Sequence, residues 1–449
     1  MARAPVDITH LFDPTDIEAL ARQTGFVVRT SPITGMRFLV TFTAGLLNTP
    51  GGTLAQLAAF LGVTCGVPVS TQALDERMNG AATRFMRMCL AKALAMSSSV
   101  TGLGEDALRM LDHVYIIDST RFELHPTLAP KFKGNGGGAS SAAMRIQFAF
   151  DYRTGIMHLE IGDVNLSDPG TLARWVREGV LPMDGTCLFL TDLGYFKTAT
   201  FAQMRTRPDC HFLSKLQFGV HLTQTDGTLL DLRGLLRKRP ATIELNVRLG
   251  DTPCRLVGKR LPDPVVAEKI RKANAASESK SRHISDEYRL FLHYALCITS
   301  LPPEYSIDQL FVLYRIRWQI ELIFKVWKSV LAIHRVHSAK EDRVLCEVYG
   351  KLTVAVLLSV MRAATEAVLD GLTLSIHRAA RHLQSVATNW ALAIVSGVTG
   401  HRAFLIVLQR TLAKLCRKTR HRSKPTIDTI LSHAMAGLHL HRQESRPLA

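Results

Sequence analysis

Tyr314, Arg317, Glu321 and Lys328 stand in the pattern Y-x2-R-x3-E-x6-K. Relative to the glutamate they sit at −7, −4, 0 and +7. On one helix, at about 100° per residue, these offsets fall on a single narrow face. A carboxylate ringed by a guanidinium, an ammonium and a phenol suits a site where the acid holds a metal ion and its neighbours hold phosphates. A second stripe, Leu313, Ile316, Ile320, Phe324 and Trp327, is apolar and lies on the adjacent face. The same helix can therefore rest on a core. Taken alone, Glu321 beside Arg317 and Lys325 also reads as an ordinary helical salt-bridge network.

Two more acids share a context. Asp118 ends the run His113-Val-Tyr-Ile-Ile, and Asp192 ends Thr186-Cys-Leu-Phe-Leu-Thr. Each should emerge at the edge of a buried strand, where a charge is costly unless paired or bound to metal. Ligands collect at the carboxyl ends of strands in α/β layers. Phosphodiester cleavage places negative charge on an attacking and a leaving oxygen. Two Mg²⁺ ions about 3.5–4 Å apart stabilise both. A lone Asp after a strand is otherwise a turn or cap residue.

These acids must be positioned by several kinds of element. Residues 1–105 show helical periodicity at Ile17–Phe26, Phe38–Leu47, Leu54–Leu61 and Phe85–Ala95. Thr53 to Gly62, a turn with Gly66 and Pro68, and a helix opening at Ser70 outline a helix-turn-helix, an outline that any small helical bundle shares. Residues 106–216 read as strands (His113–Asp118, Met144–Tyr152, Ile156–Val164, Thr186–Asp192, Cys210–Leu216) with a hairpin at Arg153–Gly155 and a helix over Thr171–Glu178. Residues 217–303 read as a β-rich insertion with its own sheet. Its strands are Thr242–Leu249, Cys254–Lys259 and Tyr288–Ile298, and Pro264–Ala276 is helical. Residues 304–335 carry the glutamate helix. Residues 336–449 are helical and include a basic stretch, Arg410 to Lys424, with seven Lys or Arg and no acid.

Composition narrows the partners. Fifty-five Lys and Arg against 38 Asp and Glu give a net charge of +17 over 449 residues. Nucleic acid is the commonest polyanion such a chain meets. No apolar run reaches the ~18 residues of a membrane span, and Leu352–Met361 reads as a buried helix segment. No signal-peptide pattern opens the chain, so the expected location is the cytoplasm, on the nucleoid when bound to DNA. The eight cysteines form no C-x2-C pair and read as small core residues rather than zinc ligands or disulfides.

The segments Ile116–Thr120, Thr191–Phe196 and Tyr314–Lys328 together resemble DDE transposases, and more narrowly the insertion-sequence-four family. That family carries an Asp followed by Ser or Thr after its first strand, D-x-G-Y-F or a relative after its fourth, and Y-x2-R-x3-E-x6-K on the glutamate helix. The match covers roughly residues 110–335, and the 129 positions from Asp192 to Glu321 fit a family whose fold is interrupted by a β-rich insertion.

The resemblance implies a ribonuclease H-like α/β core, a mixed sheet flanked by helices, with helical regions at both ends. It implies that Asp118, Asp192 and Glu321 are the catalytic metal ligands for two Mg²⁺ ions, with Mn²⁺ as a substitute. Tyr314, Arg317 and Lys328 would contact phosphates, and Lys215, after the fifth strand, would also meet DNA. Trp318 reads as a core residue, with stacking on a displaced base as the alternative. The implied activity is transposition of an insertion sequence: binding of terminal inverted repeats in double-stranded DNA, cleavage at the element ends, and strand transfer to target DNA within a dimeric synaptic complex. The rivals are a metal-dependent nuclease without strand transfer and an inactive DNA-binding remnant acting as a repressor.

Overall fold

A computed structural model describes residues 8–97, 108, 110–278, 283–336, 338–368 and 373–418. Among the described residues there are nine strands: β1 (His113–Glu123), β2 (Ala143–Asp151), β3 (Met157–Gly162), β4 (Cys187–Thr191), β5 (Cys210–Lys215), β6 (Thr223–Gln224), β7 (Thr242–Leu249), β8 (Thr252–Arg260) and β9 (Tyr294–Thr299). The described residues fall into two compact units. One holds residues 8–97, 119–166 and 318–418; the other holds 108–118 and 167–317. The N-terminal helices thus share a unit with the glutamate helix and the C-terminal helices.

The second unit is built on a mixed sheet. The first half of β1 pairs parallel with β4, and β4 pairs parallel with β5. β9 then joins β5 antiparallel, and β8, β7 and β6 follow antiparallel. All five residues of β4 are buried, as are the first five of β1. Such unbroken apolar runs belong to strands covered on both faces. Two helices, Asp168–Glu178 before β4 and Thr198–Met204 between β4 and β5, pack against each other, and the second also packs on β5. Trp175 and Phe201 are fully buried, and Phe201 stacks on Phe212 of β5 at 4.4 Å. Each such side chain contributes about 1.5–3 kcal/mol.

Two expectations for residues 217–303 are corrected here. Their strands do not form a sheet of their own. β9 hydrogen-bonds to β5, so β6 to β9 extend the central sheet. The buried Arg255 of β8 reinforces this continuity. Its guanidinium pairs with Glu244 and donates to the carbonyls of Leu301 (3.2 Å), Pro302 (2.7 Å) and Tyr305 (3.1 Å). It thereby stitches the sheet to the segment that opens the Ile307–Ile316 helix. The strand expected over 288–298 starts only at Tyr294. Asp286–Leu292 is a helix, because Ser285 caps the Tyr288 N–H and two acids occupy its first turn.

The first unit is helical around the β2–β3 hairpin. Gly155 takes φ 79° at its turn, and Asp151 accepts from Arg153 N and Thr154 Oγ1. The four expected N-terminal helices are present, and Leu54–Cys65 and Thr71–Arg77 flank a left-handed Gly66. The longest helix, Glu341–Val368, is long and apolar enough to cross a membrane by composition. Its apolar window is nonetheless almost entirely buried inside the protein, as expected for Leu352–Met361. Gly350 lets it approach Phe42, whose carbonyl oxygen would lie 1.9 Å from an added Cβ. The basic stretch after Lys418 lies outside the described residues.

This long helix also fixes the end of the glutamate helix. Lys351, 1% exposed, donates to the carbonyls of Ala332 (3.0 Å) and Arg335 (2.9 Å), in the loop where Ala332 adopts φ 46°. Burial lowers the Lys351 ammonium to about 8, against about 10.4 in an unfolded chain. Between these values the unfolded chain binds the extra proton, so stability from this group rises with pH, by about 3 kcal/mol in all. Lys351→Met removes that dependence. In urea unfolding, wild type should therefore gain on the variant between pH 8 and pH 10; a constant difference would show that the ammonium is not buried as described.

Candidate active site

The register of the parallel strands brings three of the sequence-predicted residues together. Ile117 of β1 stands opposite Thr191 of β4, and Thr191 stands opposite Ser214 of β5. The next position on each strand is Asp118, Asp192 and Lys215. Adjacent strands lie about 4.8 Å apart, and residues at the same level of parallel strands share a face. The two carboxylates and the lysine therefore form one row across three strands. Asp118 does not end its strand, as the sequence suggests. β1 runs on to Glu123, and Asp118 marks the level where its partner β4 stops.

Arg317 closes over this row. Its guanidinium Nη1 lies 3.5 Å from Asp118 Oδ2 and 4.0 Å from Asp192 Oδ2. The arginine side chain is 11% exposed, Asp118 24% and Asp192 40%. The single cation thus offsets part of the charge of two carboxylates at that edge of the sheet. Tyr314 sits beside it. Its hydroxyl donates to the Thr191 carbonyl at 3.1 Å, and burial pushes the phenol well above its ordinary value. Lys215 Nζ lies 5.6 Å from the centre of the Tyr314 ring, a cation–π distance. Asp118, Asp192, Lys215, Tyr314 and Arg317 are accordingly one cluster.

Glu321 and Lys328 belong to the other unit, on the Trp318–Ser329 helix. The signature does not run along one unbroken helix. One helix ends at Ile316, Arg317 forms a turn with its N–H on the Tyr314 carbonyl at 3.2 Å, and the next begins at Trp318. Glu321 lies in the first turn of that second helix. Ile320, Phe324 and Trp327 are buried as expected, and Phe324 and Trp327 meet Phe148 of β2 at 6.1 and 5.1 Å. Trp318 departs from expectation: it is 59% exposed, so it is not a core residue. Lys328 is exposed. All eight cysteines are free and buried.

The donor set suits a hard cation. Two carboxylates side by side match the few acidic ligands that Mg²⁺ takes, with water and phosphate oxygens completing its octahedron. The Arg317 guanidinium stands in for that positive charge. Among the described residues, no group of three or more His, Cys, Asp or Glu side chains forms a ready-made metal cage.

The family described as Transposase DDE domain matches residues 110–357, more than half of the chain. The chain is 25% identical over 378 residues to the transposase for insertion sequence element IS231F of Bacillus thuringiensis subsp. israelensis, covering 79% of this chain and 78% of that one. It is 28% identical over 385 residues to the transposase for IS1151 of Clostridium perfringens, with 78% of each chain covered. It is 26% identical over 367 residues to the putative transposase InsL for IS186A of Escherichia coli (strain K12), covering 78% and 91%. Among solved structures, the piggyBac transposase synaptic complex with hairpin DNA shares the fold with a TM-score of 0.51 at 11% identity, over 94% of this chain and 87% of that one. The fold is thus ribonuclease H-like, a mixed sheet flanked by helices. The chain belongs to the DDE transposase family and is an enzyme of DNA transposition.

The Tyr314 hydroxyl ties the signature to the end of β4. Tyr314→Phe keeps the ring beside Lys215 and removes the hydroxyl, with its bond to the Thr191 carbonyl and its contact with Arg317. It should cost about 1 kcal/mol of unfolding free energy; denaturant unfolding indistinguishable from wild type would show that the bond carries nothing.

Proposed function

We propose that Asp118, Asp192 and Glu321 together hold two divalent cations, Mg²⁺ in the cell with Mn²⁺ as a substitute, and that the chain uses them to cut and rejoin DNA at the ends of its own insertion sequence. The observation that carries this reading is the row of Asp118 and Asp192 at one level of adjacent parallel strands, faced by a single guanidinium that leaves a net negative charge. When bound, the cations supply Lewis-acid stabilisation of the attacking and leaving oxygens and lower the pKa of a nucleophilic water. The two aspartates fix one side of that site through the rigid sheet. Glu321, in the first turn of the second signature helix, supplies the third carboxylate.

The surrounding cations orient DNA. Arg317 has the planar fork for a bidentate phosphate grip, and Lys328 and Lys215 offer point charges. Tyr314 and Arg317 share the anchor on β4, so a phosphate held by the arginine is registered against the aspartates. Trp318 is exposed and so has a face available for a displaced base. Residues 1–105 would recognise the terminal inverted repeats, with the Leu54–Cys65 and Thr71–Arg77 pair as the candidate reader. Residues 217–303 would be the insertion and residues 336–449 a C-terminal helical region with a basic tail. The freed 3′-hydroxyl would attack target DNA within a synaptic dimer.

Glu321→Gln should reduce cleavage of an element-end duplex by several orders of magnitude while leaving binding to that duplex within a few-fold of wild type. Cleavage at the wild-type rate by this variant would end the assignment. Supplying a pre-cut 3′-hydroxyl end and a target plasmid to the wild-type protein separates transposition from simple nuclease action, because only the former joins the two.

A further inference from the structure

A second basic site lies in the helical unit, one turn along the glutamate helix from Glu321. A cavity of about 160 Å³ is lined on one side by Lys325 and on the others by Phe150, Tyr152, Arg362, His377 and Lys418. Lys325 follows Glu321 by four residues, a rise of about 6 Å. Arg362 is nine-tenths buried, and its Nε makes no hydrogen bond. Its nearest acid, Glu366, stands 3.8 Å away and accepts the Leu374 N–H at 2.6 Å. Desolvating a guanidinium without full pairing is costly. The cavity also meets the start of the ten-residue helix Ile376–Ser385, capped by Ser375. The N–H groups of Ile376 and His377, in its first turn, have no carbonyl within that helix to bond. Burial first, then the neighbouring charges of Arg381 and Lys325, push His377 below its ordinary value.

Three cationic side chains, a buried guanidinium among them, and a helix N-terminus converge on a space walled by Phe150 and Tyr152. That combination selects a phosphate attached to an apolar or aromatic body. We infer that this cavity takes a phosphate-bearing nucleotide of the DNA strand presented to Glu321, held by Lys325, Arg362, Lys418 and the first turn of the Ile376–Ser385 helix. DNA is the favoured source because the cavity shares the glutamate helix, and a strand led to Glu321 carries a charge every ~3.4 Å of its axis. The inference rests on the reading of Glu321 given above.

The test uses the full chain and the double variant His377→Ala/Lys418→Ala, which leaves the buried Arg362–Glu366 pair in place. In the first arm, affinity for an element-end duplex is measured across a range of salt concentrations. Loss of one phosphate contact should flatten the slope of log K against log salt by about 0.9. An unchanged slope with binding retained overturns the proposal. In the second arm, inorganic phosphate is titrated while the melting temperature is followed. Wild type should be stabilised and the variant not. Equal behaviour of the two proteins overturns the site. If wild type binds no duplex at all, the transposase reading fails, while the phosphate arm still decides whether the cavity is an anion site.

Discussion

Two carboxylates at the same level of neighbouring parallel strands repel each other, and the rest of the site exists to manage that repulsion. At about 5 Å and an effective dielectric constant near 20, the pair costs about 3 kcal/mol when both are ionised. A sheet whose strands are buried on both faces has no freedom to move them apart. The fold answers with Arg317, set within ion-pair distance of both acids. Under the proposed function the arrangement is poised: one positive charge stands where two dications would sit, on an arginine whose planar fork suits a phosphate. The same chemistry that makes the pair costly makes it a good seat for a small, hard dication.

Position follows from elements far apart in sequence. Asp118 and Asp192 are placed by unbroken apolar runs that can only be interior strands. Tyr314 and Arg317 are placed by the Ile307–Ile316 helix, whose start is fixed by Arg255 from the strand-rich segment. That segment is thus a structural extension of the central sheet as well as an interruption of the sequence. Glu321 is placed by a different set of contacts, Phe324 and Trp327 against Phe148 and the Lys351 clamp beyond the helix end.

Much of this was legible in the residues. The apolar stripe on the glutamate helix, the buried strands before each aspartate and the small-residue role of the cysteines followed from periodicity and composition. The row that includes Lys215 was there to be seen: in β1, β4 and β5 a charged residue directly follows the paired stretch. What could not be read was partnership. Periodicity marks β9 as a strand but says nothing of its pairing with β5. The break at Arg317 was hidden because the helical offsets run straight through it. Trp318 is exposed where the sequence favours core, since a large aromatic beside an apolar stripe carries no sign of which way it faces. Arg362 and His377 lie on two C-terminal helices and Lys418 lies beyond a third, and only the folded chain draws them to one cavity.

A divalent cation shared by Asp118 and Asp192, as proposed above, can be located by its own chemistry. Iron(II) in place of Mg²⁺, with ascorbate and peroxide, generates radicals that cut the polypeptide beside the bound metal. The account predicts cleavage adjacent to Asp118 and Asp192 in the wild-type chain, lost at both positions together when either is changed to Asn. Cleavage beside only one of them, or persisting at one after the other is replaced, would contradict a shared site.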